Sequence, residues 1–374
     1  MAYQTPGAFN LFPQLDTDLR IMFARNPRKM PLARYALFGD LNYQVSYYTK
    51  IDSTVGIKLP GRNKFAAIWA DGQNRPDGQA NRISHRFESI KLERHLHNFP
   101  QGTISLANQP YDIISNNMFL MAQRAGTLRA LWAYLEIYAA VTASEIATAT
   151  LGSIVSGATD ISAGTVTNPI FLKVLQYCSQ YIHQHTNGVV NEQYLKVVMG
   201  PDVALKLGAS AELLDYVARS SSARDVLEKG FSNNRFGLPL EYHGYELIVE
   251  DTVLDSGNVG TNTLANVFTA DDIWVLARMD ANMGSGIDAG AAGSYGGAEG
   301  NVFPTTFSTL SLMEGPFWTL QQNGKTEVRD GTHGMGSEMH VDTKNEVVDA
   351  AIRDTFATKV TAGASGFVVT DVLP

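Results

Sequence analysis

The sequence predicts an α+β fold in which helices and strands are segregated rather than strictly alternating. Three observations carry that reading. Residues 50–109 form a basic, polar stretch that alternates like two long strands around a loose tip. From Tyr111 to about Leu151 the chain is strongly apolar with helical periodicity. Beyond residue 190, short apolar runs are divided by turn formers with no βαβ series among them.

The totals narrow the choice of class. At 374 residues, 44% hydrophobic and 18% charged, the chain can bury a large core in two or three domains. It has no run of about eighteen apolar residues, so no membrane-spanning helix is expected. Met1-Ala-Tyr-Gln-Thr-Pro-Gly7 has no basic start followed by an apolar core, the pattern of a secretory signal. Cys178 is the single cysteine, which excludes an intramolecular disulfide and a cysteine-rich zinc site and points to a reducing compartment. The net charge of −8 is uneven: residues 1–100 carry 14 Lys and Arg against 8 Asp and Glu, and the rest carry 15 against 29. A basic arm and an acidic body can attract one another between copies, or the arm can face polyanions, and the acidic remainder lacks the broad basic face of a dedicated nucleic-acid reader.

Residues 1–49 read as a solvated, partly helical lead-in. Arg20, Arg25, Arg28, Lys29 and Arg34 occur there without an acid between them, and Pro27 and Pro31 interrupt any long helix. In the segment 50–109, Ile51 to Ala70 is expected as one strand and Ile83 to Leu106 as the other, joined by the turn formers Asp71 to Gln79. Such a hairpin is too polar to own a core, and an isolated two-stranded ribbon is marginal in water. It therefore needs a partner surface, in the same chain or in another.

The helix after Tyr111 is expected to be capped by Asp112 and stopped by Gly152. Its buried stripe reads Met121, Ala125, Leu128, Trp132 and Leu135, widened by Tyr134, Ile137 and Tyr138. A second helix runs from Pro169 to about His185, capped by Thr167 or Asn168 and ended by Gly188, with the stripe Phe171, Val174, Leu175, Cys178 and Ile182. Leu195–Met199 is a short strand ended by Gly200-Pro201, and two short helices follow near 211–219 and 223–229. Tyr245–Val249 and Ile273–Leu276 are further strands, and the Gly- and Ala-rich stretch 280–300 a mobile loop. Phe317 to Val328 reads as a hairpin around Asn323-Gly324. Glu346–Phe356 is expected as a short helix and Phe367–Val372 as a final strand.

Chemical motifs are incomplete. Gly324-Lys325-Thr326 lacks the earlier glycine of a phosphate loop, since position 319 is Thr319. The pairs His95/His97 and His183/His185 offer two imidazoles each, short of the three or four ligands a tetrahedral metal takes. Gly284-Ser-Gly286 lacks the strand and helix that frame a nucleophile elbow. Cys178 falls on an apolar stripe and reads as a small inert hydrophobe. No catalytic, cofactor-binding or metal-ligating residue is assigned, and the chain reads as no enzyme.

The order of segments resembles the major capsid proteins of tailed bacteriophages with the Hong Kong 97-type fold, from about residue 50 to the end. The basic ribbon 50–109 resembles that family's extended loop, and the helix from Tyr111 its long spine helix. Leu195-Lys-Val-Val-Met-Gly-Pro-Asp-Val-Ala-Leu-Lys-Leu207 resembles its central strand-to-helix segment. Gly237-Leu-Pro-Leu240 with His243-Gly-Tyr-Glu-Leu-Ile-Val-Glu-Asp251 resembles the lead into the axial sheet, and Asp271–Leu276 the strand after it.

The resemblance implies an N-terminal arm (1–49), an extended loop (50–109), a peripheral domain with the spine helix (110–195 and 330–374) and an axial domain (196–329). It implies a subunit that self-assembles through hexamers and pentamers into an icosahedral shell around a phage genome, within a virion assembled in the host cytoplasm. Partners would be copies of itself, a portal, scaffolding or decoration proteins, and packaged DNA contacted nonspecifically, with no membrane and no cofactor. Phe87, Ile90 and Leu92, with Arg62, Lys64, Arg86 and Arg94, are the candidate contacts between subunits. The short lead-in gives no sign of a scaffolding segment to be cleaved, and no motif selects Lys58, Lys64 or Lys91 for a cross-link. Two alternatives stand beside this reading: an encapsulin-like compartment shell, and a soluble α+β hydrolase with an unrecognised site.

Overall fold

The computed structural model describes residues 31–40, 45–51, 83–89, 91–100, 113–186, 190–219, 236–255, 263–279, 307–314, 316–320, 326–333, 335–342 and 347–374. The first half of the chain holds α1 (Leu32–Tyr35), β1 (Leu37–Asp40), β2 (Val45–Ile51), β3 (Ile83–Ser89), β4 (Lys91–Pro100), α2 (Ile113–Thr142), β5 (Ala147–Thr150), α3 (Leu151–Ile154) and α4 (Ile170–His185). Next come β6 (Leu195–Met199), α5 (Pro201–Gly208), α6 (Ala211–Arg219), β7 (Glu241–Tyr242), β8 (Tyr245–Val249), β9 (Val253–Asp255), β10 (Leu264–Asn266) and β11 (Ile273–Met279). The later described strands are β12 (Phe307–Ser308), β13 (Leu310–Glu314), β14 (Pro316–Leu320), β15 (Thr326–His333), β16 (Met335–Asp342), β17 (Val347–Val360) and β18 (Gly366–Thr370), with a short 3-10 turn at Gly363–Ser365 before the last. The result is a mixed α+β fold.

Two sheets organise these elements. The central sheet has seven strands in the order β5-β18-β11-β6-β8-β7, with β12 also on β11. The second has five, β1-β13-β17-β16, with β4 also on β17. Both sheets draw strands from distant parts of the chain: β5 and β18 join β6, β8 and β11 in one, and β13 joins β17 in the other.

A period of two decides what the central sheet buries. Val197 and Met199 of β6, Leu247 of β8, and Ile273 and Val275 of β11 lie in one core with Phe171, Val174, Leu175, Cys178 and Ile182 of α4. The residues between them, Val198, Ile248, Trp274 and Leu276, lie in a second core with Ala133 and Ile137 of α2, Leu32 and Tyr35 of α1, and Leu312 and Phe356 of the five-stranded sheet. Strands covered on both faces read as unbroken apolar runs, which is why β6 and β11 stood out in the sequence. At about 1.5–3 kcal/mol for each large apolar side chain fully buried, this double-sided sheet is the main hydrophobic reservoir of the fold.

Several local expectations hold. The stripe on α4 is wholly buried. Pro201 opens α5 at its first turn, directly after β6. A two-residue turn joins β7 to β8 with His243 at φ 50° and Gly244 at φ 87°, the left-handed pair that matches strand twist. The hairpin expected around Asn323-Gly324 has its two strands as β14 and β15. Residues 223–229 and 280–300, Asp112 and Gly188 lie outside the described residues.

Four expectations are corrected. The long helix ends at Thr142, not near Leu151. Ser144 takes φ 58°, its N–H bonds to the Val141 carbonyl, and the Glu145 N–H bonds to that of Ala140, a Schellman-type stop built without glycine. Ala147–Thr150 then pairs in parallel with β18. The buried stripe of α2 is Ala125, Arg129, Ala133, Ile137 and Ala140, whereas Leu135 is 45% exposed. Small residues on that line let the helix lie close to the sheets, and the aromatic residues flank it. Within the segment 346–356 expected as a helix, residues 347–356 are strand: Val347–Val360 is the long central member of the five-stranded sheet, held between β4 and β16. Ladder bonds on both sides override a weak helical pattern. Finally, neither Thr167 nor Asn168 caps α4. Glu212 of α6 does, its carboxylate accepting from the Phe171 N–H at 3.1 Å and the Leu172 N–H at 2.9 Å.

Candidate assembly surface

The segment expected as a single hairpin is divided in two. Its outer part is a two-stranded ribbon in which β2 pairs antiparallel with β3, from Val45 opposite Ser89 to Ile51 opposite Ile83. Its first strand therefore starts at residue 45, ahead of the expected 51–70, and residues 52–82 lie outside the described residues. Its inner part, β4, is anchored in the chain's own body, where ten consecutive positions from Lys91 to Pro100 register with β17.

The roots of the ribbon are both in the five-stranded sheet. On one side β1 pairs in parallel with β13, and β2 begins five residues after β1 ends. On the other, β3 continues into β4. Among the described residues, β2 and β3 pair with each other and with no other strand. Their register sorts positions by face. Val45, Tyr47, Thr49, Ile51, Ile83, His85, Phe87 and Ser89 occupy one set of alternating positions, and Ser46, Tyr48, Lys50, Ser84, Arg86 and Glu88 the other. The first set is richer in apolar residues and the second in charged ones, a division that a one-residue slip would invert.

Of the expected contact residues, Phe87 lies opposite Tyr47 and Arg86 opposite Tyr48 in the ribbon. Leu92 lies opposite Thr355 and Arg94 opposite Arg353 in the anchored strand. Arg62, Lys64 and Ile90 lie outside the described residues. Four of the seven thus fall on described strands, two in the ribbon and two in the anchored strand β4.

The sheet that holds β4 is fastened to the long helix through β17 and β13, by a buried ion cluster that the sequence does not announce. Arg129, 1% exposed in the middle of α2, donates from Nε to Asp354 Oδ2 at 2.7 Å and from Nη2 to Oδ1 at 2.5 Å. Its Nη1 donates to Glu314 Oε1 at 2.6 Å, and its guanidinium carbon lies 5.5 Å from the centroid of the Phe356 ring. Burial pulls the guanidinium pKa down, but Asp354 and then Glu314 outweigh it, so Arg129 is held charged even more firmly than usual. Nearer the helix end, Lys359 of β17 donates to Glu136 at 2.8 Å. A second joint ties α1 to the central sheet, where Glu246 accepts from Arg34 at 2.7 Å and from Lys196 at 2.5 Å. Burial raises the Glu246 carboxyl, and Lys196 and Arg34 together more than reverse that, holding it below the ordinary range.

A polar cavity of about 600 Å³ lies between α4 and residues 191–193, lined by Gln176, Ser179, Gln180, His183, Asn191, Glu192 and Gln193. Ser179 donates to Glu192 at 3.5 Å, while His183 Nδ1 lies 3.3 Å from the Val190 carbonyl, so serine and histidine are turned to different partners. His185 is stacked on Tyr181 at 3.8 Å. Cys178 is fully buried, and burial pushes its thiol pKa far up, the opposite of an activated nucleophile.

No family model and no curated protein matches this chain in sequence. Solved structures match along nearly its whole length. A phage-related protein of Bordetella bronchiseptica is 11% identical, with 98% of both chains covered and a TM-score of 0.49. The mature capsid of bacteriophage PhiM1 is 11% identical, covering 90% of this chain and 85% of that one with a TM-score of 0.46. A virus-like particle from Pyrococcus furiosus is 13% identical, covering 95% and 96% with a TM-score of 0.41. The structural neighbours of this chain therefore include phage capsid proteins.

Proposed function

We propose that this chain is a shell subunit, the major capsid protein of a tailed phage, which assembles through hexamers and pentamers into an icosahedral shell around double-stranded DNA. The observation that supports this reading is the rooted ribbon. β4 is paired into the subunit's own sheet, and among the described residues β2 and β3 form a two-stranded ribbon that pairs with no other strand. Such a ribbon is marginal alone, and a neighbouring copy supplies the surface it lacks. A closed symmetric shell repeats that contact around every subunit, so weak pairwise contacts sum to a stable container.

On this reading residues 1–49 are the arm and 50–109 the extended loop. The long helix with segments 110–195 and 330–374 forms the peripheral domain, and 196–329 the axial domain. Phe87 belongs to the ribbon's adhesive face, with Ile90 and Leu92 beside it, and Arg62, Lys64, Arg86 and Arg94 supply the polar contacts. Portal, scaffolding and decoration proteins are the further partners, and packaged DNA is held by nonspecific phosphate attraction within the virion. The subunit is structural and carries no reaction.

The test is to express the chain alone and examine the purified product by negative-stain microscopy and mass photometry. Closed polyhedra, tubes or rings of five and six subunits are expected. A homogeneous monomer at high concentration overturns the proposal, and particles that enclose an enzyme cargo in place of DNA move the chain to a compartment shell.

A further inference from the structure

Two carboxyl groups are buried at the same end of the central sheet. Glu250 directly follows β8 and Asp272 directly precedes β11, and the neighbouring Val249 and Ile273 both register with Met199. Glu250 is 1% exposed and Asp272 is 7% exposed. Among the described residues, no Lys, Arg or His pairs with either. Each is instead held by a tyrosine from a different helix. Tyr35 of α1 donates to Glu250 Oε2 at 2.8 Å, and Tyr138 of α2 donates to Asp272 Oδ2. Glu250 also accepts from Thr252 Oγ1, and its remaining charged neighbour is Asp251. Asp272 faces Tyr138, with Asp371 and Asp271 as its charged neighbours.

We propose that Tyr35–Glu250 and Tyr138–Asp272 form a proton-controlled clamp that fastens α1 and α2 to one end of the central sheet, tight when the carboxyls are protonated and loosened as they ionise. A neutral carboxyl accepts the tyrosine hydroxyl at little desolvation cost. An ionised one, buried among other acids and without a cation, is expensive. Burial is the main cause that lifts both carboxyls above the ordinary range. The hydroxyl hydrogen bonds pull them back, and Asp251 on one side and Asp371 and Asp271 on the other push them up. A carboxyl raised in the folded state adds stability that is complete below its unfolded pKa and disappears as pH rises through its folded pKa. The clamp therefore loosens upward from about pH 4, the ordinary carboxylate value.

The experiment is hydrogen exchange with mass spectrometry on the intact chain between pH 4.5 and 8, corrected for the intrinsic pH dependence of exchange. Peptides covering 32–36 and 134–142 are read against a control peptide from 170–185. In the wild type, protection of the first two is expected to fall with rising pH relative to the control, about tenfold per unit of pKa displacement. Glu250→Gln should flatten the profile of 32–36, and Asp272→Asn that of 134–142. Tyr35→Phe and Tyr138→Phe leave the charges in place and remove a hydrogen bond to the ionised form, so their midpoints should move to higher pH. The clamp is overturned if wild-type protection is level or rises with pH, if the carboxamide variants keep the wild-type profile, or if the phenylalanine variants move the midpoint down.

Discussion

Replacing Arg129 with methionine keeps most of the side chain's length and deletes its charge. The cost follows from what is left behind. Asp354 is 0% exposed and loses both of its guanidinium hydrogen bonds, at 2.7 and 2.5 Å. Breaking a buried pair from one side typically costs about 3–5 kcal/mol. Loss of the cation above Phe356 adds about 0.5–2 kcal/mol. Glu314 is 26% exposed and returns to solvent, so it contributes little. Arg129→Met should therefore destabilise the unassembled subunit by about 5 kcal/mol. With a urea slope of about 3 kcal/mol/M, the unfolding midpoint falls by about 1.7 M. The double variant Arg129→Met with Asp354→Leu removes the stranded charge as well and should recover most of the loss, because well-packed apolar replacements of buried pairs are often neutral. Urea titration followed by tryptophan fluorescence reads both. A single variant within about 1 kcal/mol of wild type, or a double variant no better than the single, refutes the view that this cluster fastens the helix to β17.

Three further outcomes are expected. Glu212→Ala strips the cap from α4 and also the acceptor of the Tyr242 hydroxyl at 2.7 Å, leaving the buried Phe171 N–H unpaired, so thermal unfolding should report a loss of about 1–3 kcal/mol, with Glu212→Gln in between. Glu246 is held below the ordinary carboxylate range, so the stability it gives is present above its unfolded pKa and is lost as pH falls through its folded pKa. Glu246→Gln should therefore lower the melting temperature at pH 7 and lose less than wild type on acidification. Cys178, buried with its thiol pKa pushed up, should react with a thiol reagent only as fast as the subunit opens, while urea exposes it fully; rapid labelling of the folded chain would contradict the burial.

What could be read from the sequence was what local pattern encodes. The apolar stripe of α4, the strand Leu195–Met199 with its Gly-Pro stop and the hairpin around Asn323-Gly324 all carry their signal within a few residues. Long-range pairing decided the rest. Glu212 caps a helix that begins 42 positions earlier, which no capping box reveals. Arg129 looks like an interruption in an apolar helix until Asp354 is brought beside it. Segment 347–360 becomes strand because β4 and β16 flank it, and neither neighbour is local to all of it. The offset stripe on α2 has the same origin: alanines face the sheet because close approach favours small residues, and large residues such as Leu135 face outward. Of the segment 50–109, its strand character was legible in the alternation of residues. The pairing of β4 with β17 was not, because β17 was read as a helix.

The most direct test places an aspartate on the apolar side of the ribbon. Tyr47→Asp and Phe87→Asp change two positions that face each other across β2 and β3 and leave both sheets untouched. Mass photometry at matched concentration, with circular dichroism to verify the fold, should find the wild type in shells or capsomer rings and each variant as folded single subunits. Folded variants that still close into wild-type particles would show that the ribbon's apolar face is not what holds neighbouring copies together.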